Sequence, residues 1–232
     1  MKRRRFVALG SVSVAGLLTG CDARGEWARP LLELAERQNE KLERGLVRRS
    51  VRDEAADHPL AGRRLPGYYI SDTVPVWDAA ARGAWALEVT GLVREPVRLD
   101  LEALMRLPSV TQTVNHYCVE GWTAVTEWTG VRVAEIARRA GVRPEARYVD
   151  FESFDSGYHE SWDLESALHP QTLVAYGYQG RALEPHRGAP ARLHSPIKLG
   201  YKSVKYLTRM VFLPERTGGY WSDRGYEWFA GT

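Results

Sequence analysis

The chain of 232 residues is 44% hydrophobic and carries 32 basic and 29 acidic residues. This length and composition are typical of one well-buried globular domain with a small extension. We expect the segment that contains Lys2 and Arg3–Arg5 to be removed, which would leave 28 basic and 29 acidic residues. The resulting near-balance of charge argues against general nucleic-acid binding.

Residues 1–21 predict an export signal, because a positively charged start is followed by an apolar run from Val7 to Leu18. The run is too short for a transmembrane helix. The sequence "RRRFV", Arg3 to Val7, resembles the twin-arginine signal, which addresses proteins that are exported already folded. We therefore expect a periplasmic location and a cofactor inserted before export.

The end of this signal predicts a lipid anchor. "LTGC", Leu18 to Cys21, resembles the bacterial lipobox, in which the cysteine becomes the lipidated first residue. Asp22 resembles the signal that keeps lipoproteins at the inner membrane. The alternative is an uncleaved hydrophobic anchor with a chance cysteine. Lipidation of Cys21 would leave Cys118 as an unpaired thiol in an oxidising compartment.

Residues 22–66 predict a tether or linker that leads to a domain at 67–232. The charged stretch Glu26 to Arg52 has leucines at roughly helical spacing and no glycine before Gly45, which favours a helix that lifts the domain off the membrane. A disordered spacer is the alternative. The Pro and Gly residues of "HPLAGRRLPG", His58 to Gly67, are typical of a domain boundary.

The rest of the chain predicts short strands mixed with short helices. The predicted strands are Trp85, Leu87 and Val89 up to Gly91, Val110 to Cys118, Arg147 to Phe154, and "KYLTRMVFL". The predicted helices are Leu101, Leu104 and Met105 capped by Asp100, Val131 to Ala140 stopped by Gly141, and "WDLESALH" capped by Ser161. Together they indicate an α+β domain with mixed β-sheets rather than a regular βαβ array.

The stretch from Pro185 to Pro214 contains no Asp or Glu. Its basic residues and histidines are Arg187, Arg192, Lys198, Lys202, Lys205, Arg209, His186 and His194. This one-sided charge favours a site for an anion such as a phosphate group. Its glycines and prolines would let backbone N–H groups approach a ligand closely. A solvated basic face is the alternative.

Cys118, within "VNHYCVEGWTAV", is ambiguous when it is considered alone. A free cysteine is often a small hydrophobic residue of the core. The sequence has neither the CxxC nor the HExxH pattern of zinc sites, and nothing in it singles out a His and Asn or Asp pair for a thiol protease. A lone thiolate can also be a soft ligand to a metal whose other ligands come from an organic cofactor.

Five blocks of sequence together resemble the sulfite oxidase family of molybdopterin enzymes. In chain order they are "CVEGW" at 118–122, "WTGVRVAEI" at 128–136, "YVDFES" at 148–153, "ALHPQTLVAYGYQGRALEPHRGAPARL" at 167–193 and "KLGYKSVKYL" at 198–207. The resemblance is greatest to the single-domain bacterial branch that includes the catalytic subunit of the periplasmic protein-methionine-sulfoxide reductase. It covers roughly residues 67 to 232.

This resemblance implies the sulfite oxidase fold and a molybdenum–molybdopterin cofactor. The metal would be held by the two dithiolene sulfurs of one pterin and by the thiolate of Cys118. Coordination would explain the isolated cysteine, because it keeps the thiolate from oxidation. The implied reaction is a two-electron oxygen-atom transfer, in which the cofactor supplies the chemistry and the protein orients it.

The resemblance also implies which residues contact the cofactor. They are Ser153 near the pterin, Arg192 on the phosphate, and Ser203, Val204 and Lys205 as further contacts. At the position of a usual Asn-His pair this chain offers Asp72 and Thr73. Arg187 stands where His or Asn is common, so either His186 would fill that role or Arg187 itself would contact the phosphate.

His116 and Tyr117 directly precede the cysteine in the sequence and are predicted to be catalytic residues. His116 stands where an arginine is often found, so the charge that faces the substrate is expected to differ. Trp221 and Tyr226 are candidates to line the approach to molybdenum. With no CxxCH haem motif, electrons must pass through a separate partner such as a membrane haem protein or a cytochrome c.

The sequence therefore predicts a periplasm-facing, membrane-anchored oxidoreductase. Its substrate would be an S-oxide, which is reduced, or a sulfite-like small molecule, which is oxidised. The alternatives are a non-catalytic lipoprotein that retains the fold and binds a ligand or partner, and a cofactor-free thiol enzyme. Both would leave Cys118 without a metal.

Overall fold

The computed structural model describes residues 29–46, 51–52, 65 and 70–232. The predicted signal, with its lipobox Cys21, lies outside the described residues, as does most of the predicted boundary at 58–67. The chain divides into two compact units, one that ends at Gly45 and one that runs from Leu46 to Thr232. Within the described ranges, no helix is both long and apolar enough to cross a bilayer.

Helix α1, Arg29–Leu46, belongs to the first unit except for its last residue. The helix lies within the stretch for which helical spacing predicted it. Arg44 and Glu40, one turn apart, form an ion pair of 2.7 Å between Nη2 and Oε1. Leu31 and Leu42 are exposed. That the helix acts as a membrane tether stays a prediction.

In its described residues, the second unit contains ten strands and four further α-helices. The strands are β1 Ala86–Gly91, β2 Val97–Asp100, β3 Ser109–Tyr117, β4 Thr123–Arg132, β5 Tyr148–Ser153, β6 His159–Asp163, β7 Leu173–Tyr178, β8 Arg181–Ala182, β9 Arg192–His194 and β10 Leu207–Leu213. The helices are α2 Ala79–Arg82, α3 Leu101–Met105, α4 Val133–Ala140 and α5 Leu164–Ala167. Three 3₁₀ turns are Pro185–Arg187, Gly200–Lys202 and Ser222–Arg224.

The strands form two sheets. One has the order β2-β1-β10-β5-β6, and the other has the order β3-β4-β7-β8, with β9 also paired to β7. Strands β1 and β10 run parallel, whereas their other neighbours run antiparallel. The main hydrophobic core packs the first sheet against α3 and α4, and a smaller core lies between β3, β4 and β7. The predicted α+β class with mixed sheets is confirmed.

Local sequence signals explain several of these elements. Strand β1 buries Leu87 and Val89 completely and ends at Gly91, as the alternation predicted. A Cβ atom at Gly91 would lie 2.2 Å from the Phe212 carbonyl oxygen, so a glycine is needed where the two strands approach. Asp100 caps α3 as predicted, with its carboxylate accepting the Ala103 N–H at 2.7 Å.

Two of the predicted helix starts are wrong. Helix α4 begins at Val133 rather than Val131, because β4 continues through Arg132. Ser161 does not cap a helix; it lies within β6, opposite Asp150 of β5. The cap of α5 is instead Asp163, whose carboxylate accepts the Ser166 N–H at 2.9 Å. In both places the pairing of a strand with its neighbour overrides the local signal for the start of a helix.

Candidate active site

The tip of the β3–β4 hairpin places Cys118 at a cavity. Cys118 follows the last residue of β3, and its N–H donates to the Trp122 carbonyl at 3.0 Å. Gly121 closes the turn by donating to the Cys118 carbonyl at 3.0 Å, with the positive φ of 82° that favours glycine. Cys118 is a free cysteine of intermediate exposure. Its thiol is therefore accessible from the cavity.

The cavity has a volume of about 340 Å³ and is built from segments far apart in sequence. Its lining residues are Leu65, Ile70, His116, Cys118, Val119, Glu120, Trp122, Ser153, Asp155, Tyr158, Arg192, Gly200, Tyr201, Ser203, Lys205, Tyr206, Trp221 and Tyr226. The hairpin tip, the end of β5, strand β9 and the C-terminal segment thus meet at one place. A cavity of this size at the meeting of several elements is typical of a cofactor or substrate site.

Eight of the sequence-predicted residues line this cavity. They are His116, Cys118, Ser153, Arg192, Ser203, Lys205, Trp221 and Tyr226. The other predicted residues lie away from its lining: Asp72 and Thr73 are exposed, Val204 is buried in the main core, and Tyr117, His186 and Arg187 lie beside lining residues. The carbonyl of Val204 accepts the Leu193 N–H at 2.7 Å, which joins β9 to the loop that carries Ser203 and Lys205.

Three buried or half-buried cations, Arg187, Arg192 and Lys205, form a cation cluster; Arg192 and Lys205 line the cavity, and we call that part the cationic end. Arg192 is 2% exposed. Its guanidinium donates to the carbonyls of Arg187 at 3.1 Å and Ser203 at 3.4 Å. Lys205 Nζ donates to the His186 carbonyl at 3.1 Å. Because carbonyls are neutral, these bonds orient the cations without cancelling their charge, and the Asp155 carboxylate offsets part of the charge of Lys205.

The pKa values of the cluster show its mutual repulsion. Burial, followed by the charges of Arg192 and Arg187, lowers the pKa of Lys205 to about 7. Burial likewise lowers the pKa of Arg192 to about 10. A bound anion would reverse both effects, because it would favour the charged forms. The cluster is therefore suited to a phosphate group.

Further features of the same end fit a cofactor with a phosphate. Ser203 Oγ is buried and has no hydrogen-bond partner among the described residues, so it can bond to a ligand. Gly188 has a φ of 102°, and a Cβ atom there would lie 2.9 Å from Lys205 Cβ and 3.2 Å from Arg192 Cβ. This glycine lets the two cationic side chains pack against the backbone. The residues present thus fit the phosphate end of a pterin cofactor.

Cys118 has an environment that keeps its thiol protonated until a cation binds. Burial is the main cause that raises its pKa, and the Glu120 carboxylate adds to it. Cys118 Sγ lies 3.9 Å from Glu120 Oε2, which also accepts the Trp122 indole N–H at 2.9 Å. A metal ion would reverse this preference, because thiolates rather than thiols are metal ligands. Among the described residues, no group of three or more His, Cys, Asp or Glu side chains could hold a metal ion.

His116 packs against a second histidine that the sequence did not single out for this site. The rings of His116 and His194 stack at 5.5 Å, with Nδ1 of His116 3.4 Å from Nε2 of His194. Burial and then Arg192, Lys205 and Arg187 lower the pKa of His116 to about 3, so its imidazole is uncharged at neutral pH. A Cβ atom at Gly200 would lie 2.5 Å from His116 Nε2, so only glycine fits there.

Five aromatic side chains form a continuous aromatic wall: Tyr158, Tyr201, Tyr220, Trp221 and Tyr226. Successive ring centroids lie 5.4 Å apart for Tyr158 and Tyr220, 5.2 Å for Tyr220 and Trp221, 5.0 Å for Trp221 and Tyr226, and 5.4 Å for Tyr226 and Tyr201. All but Tyr220 line the cavity. The cavity thus has a cationic end and an aromatic side.

Several lining residues were not found from the sequence. They include Glu120, Trp122, Asp155, Tyr158, Tyr201 and Tyr206. Asp155 lies two residues beyond Ser153, and its N–H donates to Ser153 Oγ at 2.9 Å, so closeness in sequence to a predicted contact was the available signal. Tyr201, two residues before Ser203, carries the same signal, whereas Tyr158 carries none and meets Tyr201 only through the fold.

Comparison with known proteins gives one family and several relatives. Residues 72–221 match the model of the family described as the oxidoreductase molybdopterin binding domain. The chain is 37% identical over 232 residues to "Putative protein-methionine-sulfoxide reductase subunit YedZ1" of Azospira oryzae, which covers 99% of this chain and 86% of that protein. It is also 37% identical over 155 residues to the protein-methionine-sulfoxide reductase catalytic subunit MsrP of Gluconobacter oxydans, with 60% of this chain covered.

That alignment spans only 50% of the Gluconobacter protein. Among solved structures, the sulfane dehydrogenase SoxCD of Paracoccus pantotrophus is similar with a TM-score of 0.55 and 26% identity. The similarity covers 57% of this chain and 39% of that chain. The family match includes most of the cavity lining, from Cys118 through Trp221.

Proposed function

Because this chain belongs to the oxidoreductase molybdopterin-binding domain family, which is the sulfite oxidase family, we propose that it reduces S-oxides, above all methionine sulfoxide in proteins. Membership of this family makes the chain an enzyme. The observation that carries this proposal is the cavity that joins Cys118 to a cationic end and to an aromatic wall. The cations suit a phosphate-bearing cofactor, and the aromatic wall suits an apolar substrate chain.

In this proposal Cys118 is the protein ligand of molybdenum, and the cationic end holds the molybdopterin. Arg192 and Lys205 would bind its phosphate, and the buried hydroxyl of Ser203 would donate to it. When bound, this group supplies the two-electron oxygen-atom transfer. The protein holds it in place, orients the substrate beside it and excludes water from the cavity.

The aromatic wall and the charges beside Cys118 support a neutral sulfur substrate. A thioether or S-oxide chain packs favourably against aromatic rings. The Glu120 carboxylate, 3.9 Å from the thiol, disfavours an anion at that end. The names of the Azospira and Gluconobacter relatives point to the same substrate class. Oxidation of a sulfite-like anion is the second candidate, and Lys205 in the same cavity favours it.

We also propose a location and a partner. The twin-arginine-like Arg3–Val7 and the lipobox-like Leu18–Cys21 support a periplasmic enzyme anchored by lipid at the inner membrane, with α1 as the tether. A separate redox partner, a membrane haem protein or cytochrome c, would supply electrons; the relatives named as catalytic subunits support a system of several components.

Mass spectrometry of the mature N-terminus tests the anchor, because a diacylated Cys21 is expected and an intact Met1 contradicts it.

The substrate is tested with purified, natively exported protein. We expect it to oxidise a reduced viologen dye when a methionine-sulfoxide peptide is added. We expect no comparable reduction of an artificial electron acceptor when sulfite is added. Faster sulfite oxidation than S-oxide reduction would overturn the proposed direction. The Cys118→Ser variant, assayed in parallel, controls for reaction of the dye with the protein outside the cavity.

A further inference from the structure

A buried ion pair lies behind the aromatic wall. Lys202 Nζ and Glu160 Oε2 are 2.6 Å apart, and both side chains are 0% exposed. Glu160 belongs to β6, and Lys202 ends the turn Gly200–Lys202. The pair thus joins two segments 42 positions apart in the sequence. Burial raises the pKa of Glu160 and lowers that of Lys202, because each charge loses its water.

Glu160 holds the C-terminal part of the wall. Its Oε1 accepts the Trp221 backbone N–H at 3.1 Å, and its Oε2 lies 3.4 Å from Ser222 Oγ. A Cβ atom at Gly219 would lie 2.4 Å from Oε2, so the chain passes directly over the carboxylate. The backbone of the segment before Trp221 is also bonded to β6, with the Tyr220 N–H donating to the His159 carbonyl at 2.9 Å, and the Glu160 carboxylate adds the contact to Trp221 itself.

Lys202 ends the turn that carries the other part of the wall. Its backbone carbonyl, not its paired amine, accepts the Trp162 indole N–H at 3.1 Å, which fixes the turn against β6. The neighbouring Tyr201 carbonyl accepts the Tyr158 hydroxyl at 2.5 Å, and the Tyr201 hydroxyl donates to the Glu227 carbonyl at 2.5 Å. The ion pair thus connects both segments that carry the wall.

We propose that Glu160 and Lys202 are positioning residues, whose ion pair fixes the aromatic wall and so sets the affinity of the cavity for the S-oxide side chain. The proposal rests on the proposed function. A buried ion pair is often no more stabilising than apolar residues of the same volume. Its directional bonds, to the Trp221 N–H above all, are what an apolar pair could not supply.

The test uses the double variant Glu160→Met/Lys202→Met, because a glutamine at position 160 would keep an oxygen that can accept the Trp221 N–H. Glu160→Met alone would leave a buried lysine without its partner. The matched control is Asp163→Asn/Lys198→Met. That pair is also buried, with 3.3 Å between its charged atoms, but Lys198 Nζ donates to the Phe229 carbonyl rather than to the wall. Asparagine keeps the cap of α5.

Two quantities are measured on the loaded enzyme. For a methionine-sulfoxide peptide with reduced viologen, we expect the double variant to raise KM roughly tenfold with kcat nearly unchanged, since contacts to the bound substrate are lost. We also expect faster amide hydrogen exchange in the peptide that contains Trp221. The control variant should change neither quantity.

Three results would overturn the proposal: an unchanged KM in the double variant, an equal KM change in the control variant, or unchanged exchange at Trp221. If the wild-type enzyme reduces no S-oxide, the proposed function fails on its own. The exchange measurement then still decides whether the pair positions the wall, because it needs no substrate.

Discussion

The stability of cofactor-free protein should rise with pH because of the cation cluster. Burial and its two arginine neighbours lower the pKa of Lys205 from 10.5 to about 7 in the folded protein. Between these values the unfolded chain keeps the Lys205 proton and the folded chain does not. The unfolded state therefore binds more protons, and the free energy of unfolding increases with pH across this window.

The size of the effect follows from the two pKa values. From pH 7 to pH 9, linkage gives a gain of about 2 kcal/mol in the free energy of unfolding from this one side chain. Urea denaturation at both values, on protein made without the pterin, measures it. Lys205→Met is the control, because it removes this titration and keeps the others. An equal rise in Lys205→Met and in the wild type would refute the reasoning.

Two substitutions test the cationic end in other ways. Arg192→Gln removes a charge-assisted contact of about 1.5–3 kcal/mol, so we expect the protein to bind the cofactor roughly 10- to 100-fold more weakly. The molybdopterin content of the protein after gel filtration measures this loss. The control is Arg209→Gln, at a part-exposed arginine, which should retain the cofactor. Gly225→Ala should lower the free energy of unfolding by about 1–3 kcal/mol, because alanine is strained at the positive φ of this residue. Gly188→Ala should lower it by about 1–3 kcal/mol more, because its new methyl group also meets Lys205. Urea denaturation of both variants checks this, and equal losses would show that the packing around Gly188 is not tight.

The elements set by neighbours in sequence could be predicted. The cap at Asp100 and the stop at Gly141 depend on bonds within one turn, and both lie where the pattern placed them. Ser161 looks equally good as a cap, yet it is drawn into β6 by pairing with β5. No local signal shows that a partner strand will compete for the same residue.

The candidate site divides in the same way. Cys118, Arg192 and Lys205 could be predicted because they stand within short recognisable blocks, and the fold brings them to one cavity. Of the aromatic wall, Trp221 and Tyr226 were predicted. The contact between Tyr158 and Tyr201 could not be, since they become neighbours only when β6 and the turn after β9 pack together. The partner of His116 is His194, 78 positions away, for the same reason.

The central claim is that Cys118 holds the metal of a molybdopterin cofactor. Molybdenum-edge X-ray absorption on natively exported protein tests it most directly, because it counts the sulfur atoms bound to the metal. We predict that the wild-type protein contains molybdenum and that Cys118→Ser has one sulfur ligand fewer per metal. A wild-type protein without molybdenum, or a Cys118→Ser variant with the same number of sulfur ligands, would contradict the account.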